Sequence, residues 1–304
     1  MDRSSFVVTI PGSTSNLGAG FDTASAALSI YLSLTVEPGS DDGITWPADW
    51  TLPREENMIE QAYLAACSHL GIPASGLSIG VSNEIPFKRG LGSSGAAIIG
   101  GIRIAEHLAG VTLTPQEVFQ IAYPLERHPD NLSASFLGGW VISRVGDGSM
   151  EAERIESSVN CRFVVAIPEV VVSTAEARRI LPTSYSLSDA VFNVQRSALL
   201  VHALHTGRKD LLKEATQDRL HQSYRARLVP GLTELLARTA LPPELSEELV
   251  SITVSGSGST VLALADGKYE EIGDWMRQSL ERAGTSCEIR VLDLDRVGAR
   301  VSVP

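Results

Sequence analysis

The sequence predicts an α+β fold, in which strands and helices are mixed and helices predominate after about residue 170. Several short runs are rich in β-branched residues or alternate in polarity, and both patterns favour strands. The runs between them carry apolar residues at spacings of three and four, which favour amphipathic helices. With 304 residues, 43% hydrophobic and 20% charged, the chain can bury a large core in one or two domains.

The predicted strands, in chain order, are SFVVTI, AALSIYLSLTVE, LSIGVS, GGWVISRV, RFVVAIP, SITVS, TVLALA and CEIRVLDLD. The first predicted helix is MIEQAYLAACSHL, because Asn57 and Glu60 form an N-terminal capping signature and Gly71 follows as a terminator. The other predicted helices are SSGAAIIGGIRIAEHLAG, SDAVFNVQRSALLVHALHTG, RKDLLKEATQDRLHQSY, GLTELLART and YEEIGDWMRQSLERAG. We place a domain boundary near residues 150–160, in the polar segment GDGSMEAERIESS.

Composition limits the classes of partner. A net charge of -11 and a pI near 5.1 argue against nucleic-acid and membrane surfaces, which select basic patches. The cysteines Cys67, Cys161 and Cys287 have no metal-ligand or redox spacing, which is typical of buried thiols in a reducing compartment. The N-terminal segment lacks signal-peptide features, and no run of 18 apolar residues occurs. We therefore expect a cytoplasmic protein.

The segment GLGSSG, residues 90–95, matches a dinucleotide-binding fingerprint by its letters. That fingerprint needs a second strand ending in an acid about 20 residues on. The sequence there predicts a helix instead, in which Thr114 and Glu117 form a capping box. The segment is not the P-loop of nucleoside triphosphatases either, because Ala96 stands where that loop needs lysine.

What remains is a loop suited to an anion at a helix N-terminus. Glycines let the backbone approach a phosphate closely, and the free N–H groups and dipole of the helix favour negative charge. Lys88 and Arg89 add positive charge beside the loop. The alternative is a simple turn in which Ser93 or Ser94 caps the helix.

Three further segments carry polar groups that suit a ligand site. PGSTSNLGAGFD, residues 11–22, places Asn16 and Asp22 on a loop of small residues. SGSGST, residues 255–260, lies between two apolar runs and could equally be a hairpin turn. ERHPDN, residues 126–131, packs acids, an imidazole and an amide around a proline, with a loop held by side-chain turns as the alternative.

The segments STSNLGAGFD, IPFKRGLGSSGAA, ERHPDN, VVSTAEARRILP, DRLHQSYR and SGSGSTVLALA together resemble the homoserine kinase family. That family is part of the superfamily containing galactokinase, mevalonate kinase and phosphomevalonate kinase. The resemblance implies a two-domain small-molecule kinase fold. Residues 1–155 would form an ATP-binding domain similar to domain 2 of ribosomal protein S5, with a left-handed β-α-β crossover, and residues 156–304 a ferredoxin-like domain.

The activity implied is transfer of the γ-phosphate of ATP to the side-chain hydroxyl of L-homoserine, giving O-phospho-L-homoserine for threonine biosynthesis. Mg²⁺ is the implied metal, and a homodimer is the oligomer that the family suggests. Two alternatives stay open at this point. One is a kinase of the same superfamily that acts on another small alcohol, and the other is a non-catalytic sensor of small molecules on the same fold, which we would expect to lose Ser94 or Glu126.

The resemblance also implies roles for individual residues. Ser94 and Glu126 would lie near the Mg²⁺, since a hydroxyl and a carboxylate suit that hard cation. Asn57 would lie towards adenine, although its capping role explains it as well. The residues implied to wrap the ATP phosphates are Pro86, Phe87, Lys88, Arg89, Gly90, Leu91, Gly92, Ser93, Ser94, Gly95 and Ala96. Those implied to bind the substrate are Asn16, Asp22, His128, Asp130, Thr174, Arg178, Arg225 and Gly256.

Within that set, Arg178 and Arg225 would hold the substrate carboxylate, because a planar guanidinium pairs with a carboxylate through two hydrogen bonds. The catalytic residues would be Asn131, Glu126 and Ser94. Related kinases place an aspartate base where this chain has Asn131, which cannot accept a proton in that role. Catalysis would then rest on positioning and on neutralisation of charge, which suit phosphoryl transfer. Several positions depart from the family pattern, among them Pro124, Arg127, Ser257 and Ser259.

Overall fold

The computed structural model describes residues 4–39, 43–146 and 148–303. Positions 1–3, 40–42, 147 and 304 lie outside the described residues, so the start of the N-terminal segment and one position of GDGSMEAERIESS are not placed. Within the described ranges, no helix has both the length and the apolar character that crossing a bilayer requires.

The strands form two sheets. The first sheet has seven strands, with the path β11-β1-β2-β4-β3 and with β5 pairing β2 and β6 pairing β5. The second has four antiparallel strands in the order β10-β7-β9-β8. The strands are β1 (Phe6–Ser15), β2 (Ala24–Pro38), β3 (Ile44–Thr45), β4 (Leu77–Asn83), β5 (Trp140–Gly146), β6 (Ser149–Ile155), β7 (Arg162–Pro168), β8 (Leu249–Val254), β9 (Val261–Ala265), β10 (Cys287–Leu292) and β11 (Arg300–Ser302).

The helices are α1 (Met58–Leu70), α2 (Ser93–Ala109), α3 (Pro115–Ala122), α4 (Pro129–Leu137), α5 (Thr174–Arg179), α6 (Leu187–Thr206), α7 (Lys209–Ala215), α8 (Gln222–Arg225), α9 (Leu232–Leu236) and α10 (Tyr269–Glu281). Short 3-10 helices occupy Arg54–Glu56, Ala226–Leu228 and Pro243–Leu245. The predicted caps are confirmed. Asn57 Oδ1 accepts from the N–H of Glu60 at 3.3 Å to start α1, and Thr114 forms a capping box with Glu117 to start α3.

Two hydrophobic cores lie against the sheets. The larger one packs the first sheet against α1, α2, α3 and α4, with Leu34, Ile99 and Tyr63 fully buried. The smaller one packs the second sheet against α9 and α10, around Val164, Leu235 and Met276. The mixed α+β class predicted from the sequence is therefore confirmed.

Several elements, among them α4 and α5, were not predicted from the sequence, and two predicted segments have a different structure. The predicted helix RKDLLKEATQDRLHQSY is interrupted after Ala215, because the Asp218 carboxylate accepts hydrogen bonds from the backbone N–H groups of Leu220, His221 and Gln222. The polar segment GDGSMEAERIESS contains β6, which pairs with β5 along its length and ends at Ile155. The boundary at 155 stays a prediction, and β11 returns to pair with β1 in the first sheet.

Candidate active site

A cavity of about 500 Å³ gathers nearly all the residues singled out in the sequence. Its lining comes from β1, β2, β4 and the loop between β1 and β2, from the starts of α1, α2 and α4 with the loops before them, and from α5, α8 and the turn after β8. The residues lining it are Ser15, Asn16, Asp22, Leu32, Trp50, Leu52, Glu56, Asn57, Met58, Ile59, Asn83, Pro86, Phe87, Lys88, Arg89, Gly90, Leu91, Gly92, Ser93, Ser94, Gly95, Ala97, Glu126, His128, Asp130, Asn131, Thr174, Arg178, Arg225, Gly256 and Ser257.

Of the predicted residues, Ala96 is the one that does not line the cavity. Its side chain is fully buried in the larger core, and its N–H donates to the carbonyl of Gly92 at 2.9 Å. This N–H is therefore used within the first turn of α2. The next residue, Ala97, lines the cavity instead. The structure brings the other predicted residues together, and their individual roles stay predictions.

The loop at residues 86–95 ends at a helix start that no side chain caps. Gly92 is the N-cap of α2, with a φ of 75°, and makes no side-chain cap hydrogen bond. The alternative in which Ser93 or Ser94 caps the helix is therefore wrong, because both serines lie within its first turn. The first N–H groups of α2 thus have no capping side chain, and the residues that carry them, Ser93, Ser94 and Gly95, line the cavity, where an anion is favoured.

Close approach to neighbouring backbone explains why this loop needs glycines. A Cβ at Gly90 would lie 2.2 Å from the carbonyl oxygen of Ser255, and one at Gly92 would lie 2.0 Å from Ser13 Oγ. Both residues also have positive φ, which glycine adopts without penalty. The Ser255 hydroxyl donates to the Gly90 carbonyl at 2.6 Å. SGSGST is the hairpin connection between β8 and β9, as its alternative interpretation proposed, and it also holds the loop at 86–95 in place.

At the other end of the cavity, acidic and basic side chains lie close to one another. Arg178 Nη2 donates to Asp22 Oδ1 at 2.6 Å, and Arg225 Nη1 donates to the carbonyl of Gly256 at 2.8 Å. Asn16 connects these two contacts, since its Oδ1 accepts from the N–H of Asp22 and its Nδ2 donates to the same Gly256 carbonyl. Acids and arginines here present both signs of charge to the cavity.

Asp130 and Arg225 are charged groups with very little contact with water. Asp130 is 2% exposed, and burial, followed by the nearby charge of Asp22, raises the pKa of its carboxyl to about 6. Arg225 is 3% exposed, and burial together with the charge of Arg178 lowers its pKa to about 10. A buried charge is costly unless it is paired, so both side chains are suited to a partner of opposite charge.

Asn131 lies at the start of α4, next to the N-terminal end of α2. Its Oδ1 accepts from Ser13 Oγ at 2.9 Å and its Nδ2 donates to Ser15 Oγ at 3.1 Å. A Cβ at Gly95 would lie 3.1 Å from the carbonyl carbon of Asn131, so a glycine there lets the two helix ends approach. The amide is therefore held between the end of β1 and Asp130.

Glu126 and His128 form a pair at the cavity edge. The backbone N–H of His128 donates to Glu126 Oε1 at 3.1 Å, and the ring nitrogen Nδ1 lies 2.5 Å from the same oxygen. Burial alone would raise the pKa of Glu126, but the hydrogen bond and charge of His128 outweigh it and lower that pKa. The same hydrogen bond raises the pKa of His128. α3 ends at Ala122, before Pro124, so Glu126 lies in a loop and not in a continuous helix, as Pro124 predicts.

Sequence reasoning missed the apolar end of the cavity. Trp50, Leu52 and Met58 line it near Asn57, and the rings of Trp46 and Trp50 stack with centroids 5.5 Å apart. Two tryptophans within five positions of an otherwise polar stretch were the available signal. An apolar wall beside a polar amide is typical of a pocket for a flat ring.

Comparison with known proteins finds relatives over nearly the whole chain. Residues 57–139 match the GHMP kinases N terminal domain. The chain is 37% identical over 300 residues to homoserine kinase of Persephonella marina, covering 97% of this chain and 98% of that protein. It is 38% identical over 298 residues to homoserine kinase of Desulfitobacterium hafniense, covering 97% and 99%.

Solved structures share the fold. The crystal structure of homoserine kinase from Cytophaga hutchinsonii superposes with a TM-score of 0.88 at 24% identity, covering 99% of this chain and 98% of that one. Phosphomevalonate kinase of Streptococcus pneumoniae gives a TM-score of 0.67 at 15% identity, covering 96% and 99%. Both likenesses concern the fold alone. On the strength of the full-length sequence relatives, the chain belongs to the homoserine kinase family of the GHMP kinases.

Proposed function

We propose that this protein is an ATP-dependent kinase that transfers the γ-phosphate to the side-chain hydroxyl of L-homoserine, giving O-phospho-L-homoserine. The observation that carries the proposal is the polarity of one cavity. An uncapped helix start and a glycine loop lie at one part of it, and buried acids and arginines lie at another. That distribution matches a triphosphate on one side and a zwitterionic amino acid on the other.

The phosphates would lie over residues 86–95, where α2 begins. The N–H groups of its first turn and the side chains of Lys88 and Arg89 would neutralise negative charge. The adenine would occupy the apolar end beside Trp50 and Asn57. Ala96 is buried in the core, so it would support the start of α2 and not contact the nucleotide with its side chain.

The amino acid would occupy the charged end. Its carboxylate would pair with Arg178 and Arg225, and its ammonium with Asp22 and Asp130. Because Arg178 and Asp22 pair with each other at 2.6 Å, binding would exchange one ion pair for two that involve the substrate. Mevalonate and sugars lack an ammonium group, so they would leave the acids without a partner, which favours an amino acid over other small alcohols.

Ser94 and Glu126 fit a Mg²⁺ ion. The fit rests on the chemistry of the donors, because Mg²⁺ is held by one or two carboxylates together with substrate phosphates and not by a cage of protein ligands. Consistent with that, the described residues contain no cluster of three or more histidine, cysteine or acidic side chains of the kind that binds a metal alone. When bound, the ion would neutralise charge on the transferring phosphoryl group.

Asn131 would orient the acceptor hydroxyl. The side-chain amide is held by Ser13 and Ser15, so it can present a fixed hydrogen-bond partner without itself taking a proton. The proton would leave to phosphate or solvent as the phosphoryl group is transferred. This arrangement suits a loose transition state in which positioning and charge contribute most of the acceleration.

The experiment is steady-state ADP release with L-homoserine as acceptor, compared with mevalonate and sugars. We expect release that depends on homoserine, and a KM for homoserine that rises sharply in Arg225→Ala. Arg227→Ala is the matched control, because Arg227 lies two positions away and is exposed. The proposed substrate would be refuted if the folded protein released ADP only with sugars, or with none of the acceptors in the assay.

A further inference from the structure

Phe21 lies directly behind the two arginines of the charged end. The guanidinium carbon of Arg178 lies 5.3 Å from the centre of the Phe21 ring, and that of Arg225 lies 5.1 Å from it. Asp22, Arg178 and Arg225 line the cavity, whereas Phe21 does not. One ring therefore contacts both cations from outside the ligand space.

A histidine supports the same ring. The imidazole of His221 stacks on Phe21 with centroids 4.9 Å apart and an interplanar angle of 19°. His221 Nε2 lies 2.8 Å from the carbonyl oxygen of Gly18, so this nitrogen carries the hydrogen, and Nδ1 is left to accept from Arg225 at 3.5 Å. Both contacts suit the uncharged imidazole, and burial lowers the pKa of His221 in the same direction.

The two arginines have the same charge, so contacts that hold them near each other must offset their repulsion. The hydrogen bonds of Arg225 reach neutral acceptors, which are the carbonyls of Gly256 and Ala177 and the imidazole of His221. Arg178 pairs with Asp22, and its Nε is buried without a hydrogen-bond partner among the residues that the structure describes. The negative face of an aromatic ring attracts guanidinium groups and holds them without supplying an anion that would compete with a substrate carboxylate.

We infer that Phe21 is a positioning residue that holds Arg178 and Arg225 in the arrangement that binds the substrate carboxylate. This inference rests on the proposed function, since it assigns the carboxylate of the acceptor to these arginines. Loss of the ring should weaken recognition of a carboxylate and leave the nucleotide and the rest of the acceptor unaffected.

The test compares Phe21→Leu, which keeps an apolar side chain, with Phe21→Tyr, which keeps the ring. Phe192→Leu is the matched control, because Phe192 lies on α6 with two arginine guanidinium groups 3.8 and 3.9 Å from its ring centre, outside the cavity. Each protein is assayed with L-homoserine and with 3-aminopropan-1-ol, which is homoserine without its carboxylate. Thermal unfolding of each variant reports its stability.

We expect Phe21→Leu to raise the KM for L-homoserine about tenfold, the change that loss of cation–π contacts to two partly desolvated arginines implies. The KM for ATP and the kcat/KM for 3-aminopropan-1-ol should stay at the wild-type values, and Phe21→Tyr should restore the KM for homoserine. An equal loss of kcat/KM for both acceptors, or a KM like that of Phe192→Leu, would overturn the inference. Wild-type protein that does not phosphorylate homoserine would instead refute the proposed function, and the inference would fall with it.

Discussion

Asp130 offers the sharpest test of the charged end, because the structure predicts that this carboxylate lowers the stability of the protein when no ligand is bound. The side chain is 2% exposed, and burial, with a further contribution from Asp22, raises its pKa from 3.8 to about 6. A carboxyl group whose native pKa exceeds its unfolded pKa keeps its proton more readily in the folded state. The protonated carboxyl group therefore contributes fully to the free energy of unfolding below about pH 4. This contribution is lost as the pH rises through about 6 and the buried group becomes charged.

The difference between the two pKa values corresponds to about 3 kcal/mol. Asp130 lies in the first turn of α4, where the helix dipole favours a negative charge by about 0.3 to 1 kcal/mol, so we expect a net effect of about 2 to 3 kcal/mol. Asp130→Asn keeps an oxygen that can accept from the Asn131 N–H, the contact that Asp130 Oδ1 makes at 2.8 Å. At pH 8 the variant should be more stable than the wild type by that amount, and at pH 4 the two should be alike.

Urea unfolding of both proteins between pH 4 and pH 8 measures this difference, and the contributions of other titrating groups largely cancel in the comparison. Asp22→Asn is the control, because the Asp22 side chain is 36% exposed and paired with Arg178, so its removal should not stabilise the protein. The reasoning is refuted if Asp130→Asn gains no stability at pH 8, or gains as much at pH 4. The variant should also bind homoserine more weakly, since the ammonium group loses its buried partner.

Three further changes test the loop and the reacting groups. Asn131→Ala should lower kcat about tenfold to a hundredfold, because a misplaced acceptor hydroxyl is costly in phosphoryl transfer; an unchanged kcat in steady-state assays would remove its assigned role. Glu126→Gln should raise the Mg²⁺ concentration that gives half-maximal activity, whereas Glu117→Gln, in the capping box of α3 and outside the cavity, should not, and equal Mg²⁺ titrations would contradict the metal assignment. Gly90→Ala should raise the KM for ATP and lower the melting temperature, since its Cβ would meet the Ser255 carbonyl oxygen at 2.2 Å; wild-type values for both would show that the loop tolerates a side chain.

Local signals predicted much of the fold correctly. The caps at Asn57 and Thr114 and the β-branched runs work through neighbouring residues, so the sequence identified them without knowledge of the rest of the chain. The helix break before Asp218 was missed because the apolar spacing continues through it. The break depends on one carboxylate that accepts from N–H groups further along the chain, which periodicity does not reveal.

The amino-acid sequence alone reveals the polar and glycine-rich segments that form the site, the lack of a phosphate-loop lysine and the family resemblance. The folded structure is needed to see that these segments share one cavity, that Gly92 starts α2 without a side-chain cap, and that Ala96 faces the core. It is also needed to see the contacts of Phe21 with Arg178 and Arg225, which are distant from it in the sequence. Such contacts depend on how the two sheets pack together, and burial that changes the pKa of Asp130 exists only after that packing has excluded water.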